Sequence, residues 1–269
     1  MPSYKYPQLN DKDWLHQKYV VEQLSTVKIG ELVGAKRANS VRQALIRQGI
    51  PVRSVSDGLT CNRENDFFVL NQEVIEGCLL GDGFLRAHNP DSDNSYPYFS
   101  KRNINYDHIA YVAKNVFSKN WKQRVRENNE KFEARRYVIF SLRSYSHKEL
   151  KPLFNRWYID GTKIVPEDID LTPTVLLHWF MDDGNSYQRR KESKTKQVDI
   201  TFCCESFSKS EQIVLCDKLK DGYGIDSSIR KCQWGSGWRI HLSQNPTKIF
   251  YDVIGKCPVK SMEYKWKHI

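Results

Sequence analysis

Two short runs hold the residues best suited to chemistry. Glu76-Gly77-Cys78-Leu79-Leu80-Gly81-Asp82-Gly83 and Leu177-His178-Trp179-Phe180-Met181-Asp182-Asp183-Gly184 are apolar, helix-like stretches, each ending in an acid followed by glycine. Glycine lets the chain leave a helix in a conformation that other residues resist. The acid is out of place there, because the partial negative charge of a helix carboxyl end disfavours a carboxylate. Asp82 and Asp183 therefore call for a compensating positive charge, and a hard divalent cation that takes oxygen ligands is the candidate. One Asp-Gly after an apolar stretch reads as a buried helix with a polar end, whereas two at equivalent positions of a repeat read as a site. Histidine and cysteine offer no rival chemistry. There is no His-Glu-x-x-His helix among the 7 histidines, and Cys61, Cys78, Cys203, Cys204, Cys216, Cys232 and Cys257 contain no Cys-x-x-Cys spacing. A zinc centre and a disulfide framework both lack support. His88, His108, His147 and His241 are expected in a groove or at the surface rather than as ligands.

The elements that must position these acids form a repeat of about a hundred residues. The spacing predicts a helix over Val74–Leu80, strands over Gly83–His88 and Ser95–Lys101, and a helix over Ile104–Phe117. Alternation then predicts strands over Lys122–Arg126 and Phe132–Arg143. The second copy reads as a helix over Thr174–Asp182, a strand over Gln197–Glu205 and a helix over Ser210–Leu219. Strands over Gly224–Gln233 and Gly237–Ser243 follow, then a helix over Thr247–Ile254. Within Gln197–Glu205, period-two spacing turns Val198, Ile200, Phe202 and Cys204 toward the helices and Asp199, Thr201, Cys203 and Glu205 away from them. The Gly-, Asp- and Pro-containing stretch Tyr158–Pro173 joins the copies.

The amino-terminal region has a different rhythm. Trp14-Leu15 and Tyr19-Val20-Val21 place apolar residues on one helical face. Ser25 is expected to cap a short helix with Ile29, Leu32 and Val33 inward, and Gly34 to turn the chain. A third helix follows over Ala38–Gln48, with Val41, Leu45 and Ile46 inward, Gly49 closing it and Pro51 preventing its extension. This is a helix-turn-helix pattern. From Ala35 to Arg53 it carries Lys36, Arg37, Arg42, Arg47 and Arg53 and no acid, so the third helix suits a major groove.

The two acid-ending runs resemble the paired motifs of the LAGLIDADG homing endonucleases. The second, Trp179-Phe180-Met181-Asp182-Asp183-Gly184 preceded by Leu171-Thr172-Pro173, is similar to that of single-chain, intron-encoded members. Lys163-Ile164-Val165-Pro166 resembles the family linker, and Met262-Glu263-Tyr264-Lys265 a segment with a basic residue at the active-site edge. The resemblance spans about Leu70 to Lys267. It implies an α+β fold of two pseudo-symmetric αββαββα halves forming a DNA-binding saddle, with a small all-α helix-turn-helix region in front. The expected domains are 1–60, 61–165 and 166–269. The motif helices would pack together, bringing Asp82 and Asp183 close.

The chemistry so implied is hydrolysis of both strands of a specific DNA site across the minor groove, leaving short 3′ overhangs. Asp82 and Asp183 would bind Mg2+, with Mn2+ or Ca2+ substituting for binding, and the Gly81 and Asp182 carbonyls would be secondary ligands. Lys163 and Lys265 would be catalytic, steadying negative charge or ordering the attacking water. DNA contacts are expected from Lys36, Arg37, Arg42 and Arg47, from Lys101 and Arg102, and from Lys122, Arg124 and Arg126. Arg189 and Arg190 (beside Lys191), Arg239 and His241 complete the expected set.

Composition agrees without deciding. The chain has 269 residues and 42 Lys+Arg against 32 Asp+Glu, so 42 − 32 = +10, which favours an anionic partner. With 39% apolar and 28% charged residues it is a globular sequence. No apolar run of about 18 residues is present, and Met1–Asn10 lacks the apolar block of a secretory signal. The expectation is a monomer acting on double-stranded DNA inside a prokaryote, a phage-infected cell or an organelle, without an obligate protein partner. The alternatives are an RNA maturase that binds its host intron and a non-cleaving helix-turn-helix regulator, neither of which needs both acids.

Overall fold

The computed structural model describes residues 6–35, 38–53, 71–89, 95–116, 125–132, 135–188, 197–232 and 235–267, with backbone alone at 125–132 and 135–137. The chain divides into two compact units, one of Met1–Phe67 with Asn89–Tyr96 and one of Phe68–His88 with Pro97–Ile269. Among the described residues no helix is long and apolar enough to cross a membrane.

The first unit contains helices α1 (Lys12–His16), α2 (Thr26–Leu32) and α3 (Ala38–Arg47), with a wider helical turn at Gln17–Val21 after α1. Ser25 caps α2 as expected, its Oγ accepting from the Lys28 backbone N–H at 3.1 Å. Gly34 and Gly49, both at φ +68°, take the left-handed turns that stop α2 and α3. Leu15, Tyr19, Ile29, Val41, Ala44, Leu45 and Ile50 form the core. Two expectations need correction, since Leu32 is 60% and Ile46 50% exposed. Val41, Ala44 and Leu45 already fill the inward stripe of α3, and a residue one step beyond Leu45 is rotated about 100° away from it. Arg53 is not a surface cation. Its guanidinium lies 3.9 Å from the Tyr19 ring centroid and donates to the carbonyls of Gln23 and Leu24 at 3.1 and 3.2 Å.

In the second unit, α4 (Gln72–Leu80), β1 (Phe84–Arg86), β2 (Tyr98–Asn103), α5 (Tyr106–Val116), β3 (Val125–Phe132), β4 (Arg135–Arg143) and α6 (Leu150–Trp157) form the first half. A two-strand hairpin, β5 (Tyr158–Ile159) and β6 (Thr162–Lys163), follows. The second half contains α7 (Pro173–Asp183), β7 (Gly184–Gln188), β8 (Val198–Phe202), α8 (Lys209–Tyr223), β9 (Ser228–Lys231), β10 (Trp238–Leu242) and α9 (Gln244–Ile254), then a 3-10 turn over Lys260–Lys265. The antiparallel sheets run β1-β2-β4-β3 and β7-β8-β10-β9, the same order in both halves.

Two boundaries differ from the sequence reading. Phe132 ends β3 rather than opening β4, and the joint between the halves is an ordered hairpin whose turn places Asp160 and Gly161 at positive φ. That hairpin matters because it ends on Lys163. Both motif helices lie in one core. Residues Val74 to Leu80 are all buried, as are Val175, Leu176 and His178 to Met181. Asn71 and Thr172 start the two helices, each side-chain oxygen accepting a backbone N–H at 3.3 Å. Trp179 stacks on Phe202 with centroids 4.0 Å apart, and Phe180 meets Phe250, Tyr251 and Trp266 edge-on. On β8, Val198, Ile200, Phe202 and the following Cys204 are buried as the alternation requires.

Candidate active site at the ends of the paired helices

Helices α4 and α7 approach closely because glycine lies on one side of the contact. A Cβ at Gly77 would stand 2.6 Å from the Val175 carbonyl oxygen and 2.7 Å from His178 Cβ. One at Gly81 would meet the Asp182 carboxylate, with Oδ2 at 2.9 Å. The bulky Leu177, His178 and Trp179 on α7 are therefore accommodated by space left on α4. Their carboxyl ends fall side by side. Asp82 is exposed in the turn after α4, and Asp183 is the partly buried last residue of α7, its carbonyl accepting from the Cys203 backbone N–H at 2.9 Å.

The positive charge demanded by two acids at helix carboxyl ends comes first from the protein. Lys163, at the end of β6, donates from Nζ to the Gly81 and Gly83 carbonyls at 3.1 and 3.3 Å. Lys265, in the closing 3-10 turn, donates to the carbonyls of Phe180, Met181 and Asp182 at 3.1, 2.7 and 2.9 Å. Each lysine thus satisfies the orphan carbonyls of one motif helix and opposes the negative end of its dipole. Lys265 is held from behind, because its own carbonyl accepts from Ser186 Oγ and Tyr251 Oη, each at 2.6 Å.

Electrostatics separates the acids. Burial, followed by the charges of Asp182 and Asp82, pushes the Asp183 carboxyl up to about 7. Desolvation and Asp182 also raise Asp82. Burial lowers the ammonium groups of Lys163 and Lys265, against the pull of the surrounding aspartates. Excess negative charge at Asp82 and Asp183 is what a cation would relieve.

A second polar cluster lies beneath. The Lys101 and Asp182 side chains are fully buried and form an ion pair, with His108 Nε2 3.6 Å from the other carboxylate oxygen. Burial alone would lower Lys101, but Asp182 raises it and holds it charged. The opposite holds for His108, which burial and then Lys101 push down to about 3, so it is neutral. The expectation that Lys101 and Arg102 both face DNA is corrected by strand parity. Lys101 shares the face of Phe99 and pairs in register with buried Leu142, while Arg102 is on the other face, opposite Ser141. Lys101 and His108 thus belong to the interior, and the Asp182 side chain points to them.

The remaining expected DNA contacts separate similarly. Arg102 is exposed, and Arg126 lies in register with Ser141 on the next strand. Arg239 is half-exposed and ion-paired with Glu205. His241 is corrected: it is buried, with Nε2 3.2 Å from Asp199 Oδ2, because both lie at the centre of the second sheet. Asp199 is buried with it rather than open to a groove. His147 is also buried, while His88 is exposed. Arg42 and Arg47 are exposed on α3. Lys36, Arg37, Lys122, Arg124, Arg189, Arg190 and Lys191 lie outside the described residues. Sequence reasoning missed the side-chain roles of Asp182, Lys101 and His108. The available signal was the match of parity between Phe99 and Lys101, together with Gly81 in one motif where the other has Asp182.

Among the described residues no three His, Cys, Asp or Glu side chains converge so as to hold a metal by themselves. The ends of α4 and α7 offer two carboxylates and the carbonyls of Gly81 and Asp182, each with one lone pair left after the lysine bond. This all-oxygen, incomplete set suits a hydrated hard cation that also takes phosphate oxygens.

Residues 72–250 match the LAGLIDADG DNA endonuclease family, and the chain belongs to that family. It is 29% identical over 227 residues to an uncharacterized protein of Methanocaldococcus jannaschii, covering 81% of each chain. It is 26% identical over 223 residues to the cytochrome b mRNA maturase bI2 of Debaryomyces hansenii, covering 78% of each. Its fold is similar to that of the homing endonuclease I-WcaI bound to its DNA recognition sequence, with a TM-score of 0.63 and 18% identity over 80% of this chain and 95% of that one. The architecture is the α+β homing endonuclease fold in two αββαββα halves, preceded by helices.

Proposed function

We propose that the chain is a monomeric, site-specific DNA endonuclease that hydrolyses both strands across the minor groove and leaves short 3′ overhangs. The observation behind this reading is the placement of Asp82 and Asp183 at equivalent ends of two helices packed through Gly77 and Gly81. These carboxylates would hold Mg2+, assisted by the Gly81 and Asp182 carbonyls. When bound, the metal lowers the pKa of water and neutralises charge on the phosphate oxygens. The chain's own groups do the rest. Lys163 and Lys265, anchored by carbonyls at fixed positions, present ammonium charge beside the two acids and steady the negative charge that develops there. Their lowered basicity leaves each better able to give up a proton than an ordinary lysine. Arg102 and Arg126, whose backbones both lie in register with Ser141 in the first sheet, would contact DNA.

The test is selection of cut products from randomised duplexes with Mg2+, using the unaltered chain, Asp82→Asn and Asp183→Asn. Recovery of one site cut on both strands by the unaltered chain and not by the variants supports the reading. Normal double-strand cutting by both variants overturns the assignment of the acids. A second reading, assistance to intron splicing, is favoured by the similarity to the Debaryomyces hansenii maturase over 78% of each chain. Splicing of a host intron that survives both substitutions would establish that role independently of cutting.

A further inference from the structure

Helix α3 turns its buried residues Val41, Ala44 and Leu45 into the first unit's core, which leaves Asn39, Arg42, Gln43, Ile46 and Arg47 exposed. Their spacing of three, one, three and one is that of a single helical stripe. The side-chain types on that stripe are unusual for a merely solvated face. It holds no lysine, no acid, and a large aliphatic residue, Ile46, at 50% exposure. Each type has a partner on a base edge. Arginine forks onto guanine O6 and N7, asparagine and glutamine onto adenine N6 and N7, and an aliphatic group packs on the thymine methyl. Arginine and the amides can also bind phosphate, but an exposed isoleucine beside them has no phosphate to bind and suits a base edge.

We propose that α3 reads base pairs in the major groove through Asn39, Arg42, Gln43 and Ile46, as a specificity element separate from the two motif halves. This deepens the endonuclease reading and rests on it for the partner, double-stranded DNA. Arg47 is left out of the reading set because its guanidinium is 3.5 Å from Asn10 Oδ1. Charge complementarity supports the occupant, since α3 exposes Arg42 and Arg47 and carries no acid. The size fits as well. A helix about 10–12 Å across fills a groove about 12 Å wide, and the stripe from Asn39 to Ile46 rises about 10 Å. At about 3.4 Å per base pair that covers about three pairs, so α3 reads a block of three to four.

The experiment is binding selection from randomised duplexes in EDTA, where cutting is suspended, with the full chain and with Asn39→Ala, Arg42→Ala, Arg42→Lys and Gln43→Ala. All three positions are exposed, and alanine is a good helix former, so these variants keep the fold. The unaltered chain should enrich a block of three to four base pairs outside the segment that the Mg2+ experiment shows to be cut. Arg42→Ala and Arg42→Lys should relax a guanine in that block, and Asn39→Ala and Gln43→Ala an adenine, each by about 5- to 100-fold in discrimination. Loss of guanine preference in Arg42→Lys, which keeps the charge, separates base reading from phosphate attraction. A selected site with no outlying block, or a block unchanged in every variant, overturns the inference while leaving the endonuclease reading standing. Absence of any selected sequence, in EDTA and with Mg2+ alike, overturns both.

Discussion

The two halves share a strand order and a motif helix that leads into Asp-Gly, yet the carboxyl ends of those helices are built differently. At the first, Gly81 precedes Asp82, and Lys163 reaches two carbonyls. At the second, Asp182 precedes Asp183, and Lys265 reaches three. Gly81 leaves the space that the Asp182 side chain occupies, and Lys101 of the first half neutralises it. The register puts Phe202 of β8 opposite Gly184, and Ser100, the neighbour of Lys101, opposite Phe84. On that alignment the second half has a buried phenylalanine where the first has a buried lysine. Backbone pseudo-symmetry thus coexists with an asymmetric buried charge, and one ion pair ties the halves together. Two acids stand in equivalent places at the motif ends; the third ties helix to sheet.

The largest expected effect breaks that tie. Lys101→Met leaves the Asp182 carboxylate buried without its counter-charge and should cost about 3–5 kcal/mol in urea unfolding. Adding Asp182→Asn should recover much of it, and a loss below about 1 kcal/mol for Lys101→Met would mean that the pair does not join the halves. Next comes the division of labour between Asp82 and Asp183. Each asparagine variant should slow cutting of one strand about 10²- to 10³-fold more than the other, seen as nicked rather than linear plasmid. Equal slowing of both strands would show that the acids act as one shared site.

A third prediction uses pH in EDTA. The Asp183 carboxyl titrates near 7 in the fold against 3.8 as a free side chain, so the folded state holds its proton more tightly. Stability should therefore fall as pH rises from about 4 to about 7 and level off above that. The shift corresponds to about 4 kcal/mol, roughly halved for partial exposure of the carboxyl, so Asp183→Asn should stabilise the metal-free protein by about 2 kcal/mol at pH 8. Exposed Asp82 should show the same sign with a smaller effect, and a larger gain from Asp82→Asn would reverse the ranking of the two ends. The smallest effect compares the lysines. Lys265→Ala strands three carbonyls, two of them at buried contacts, and should cost about 2 kcal/mol, against about 1 for Lys163→Ala, measured by thermal unfolding. Equal losses would mean that the number of carbonyls bound has no bearing on stability.

Much of this was legible along the chain. Two apolar stretches with terminal Asp-Gly, repeated about a hundred residues apart, announce paired helices because each feature is local. Ser25, Gly34 and Gly49 mark the ends of α2 and α3 by cap chemistry. Ile46 and Leu32 face outward against the periodicity, because an apolar residue beside a helical stripe looks the same in one dimension whether it is inside or out. Lys101 is buried although a basic residue next to Arg102 suggests a shared surface, because neighbours in a strand face opposite ways.

The sequence by itself determined which groups could act: the acids at both motif ends, the two lysines near the ends of the halves, and a basic amino-terminal helix. Those follow from residue type and local periodicity. Only the tertiary structure decided that Lys163 and Lys265 cap the helices that carry the acids, that Asp182 turns inward to Lys101 and His108, and that His241 is buried. These depend on which strand face and which glycine-made space meet across about forty to a hundred residues of chain, and no local pattern encodes such a meeting.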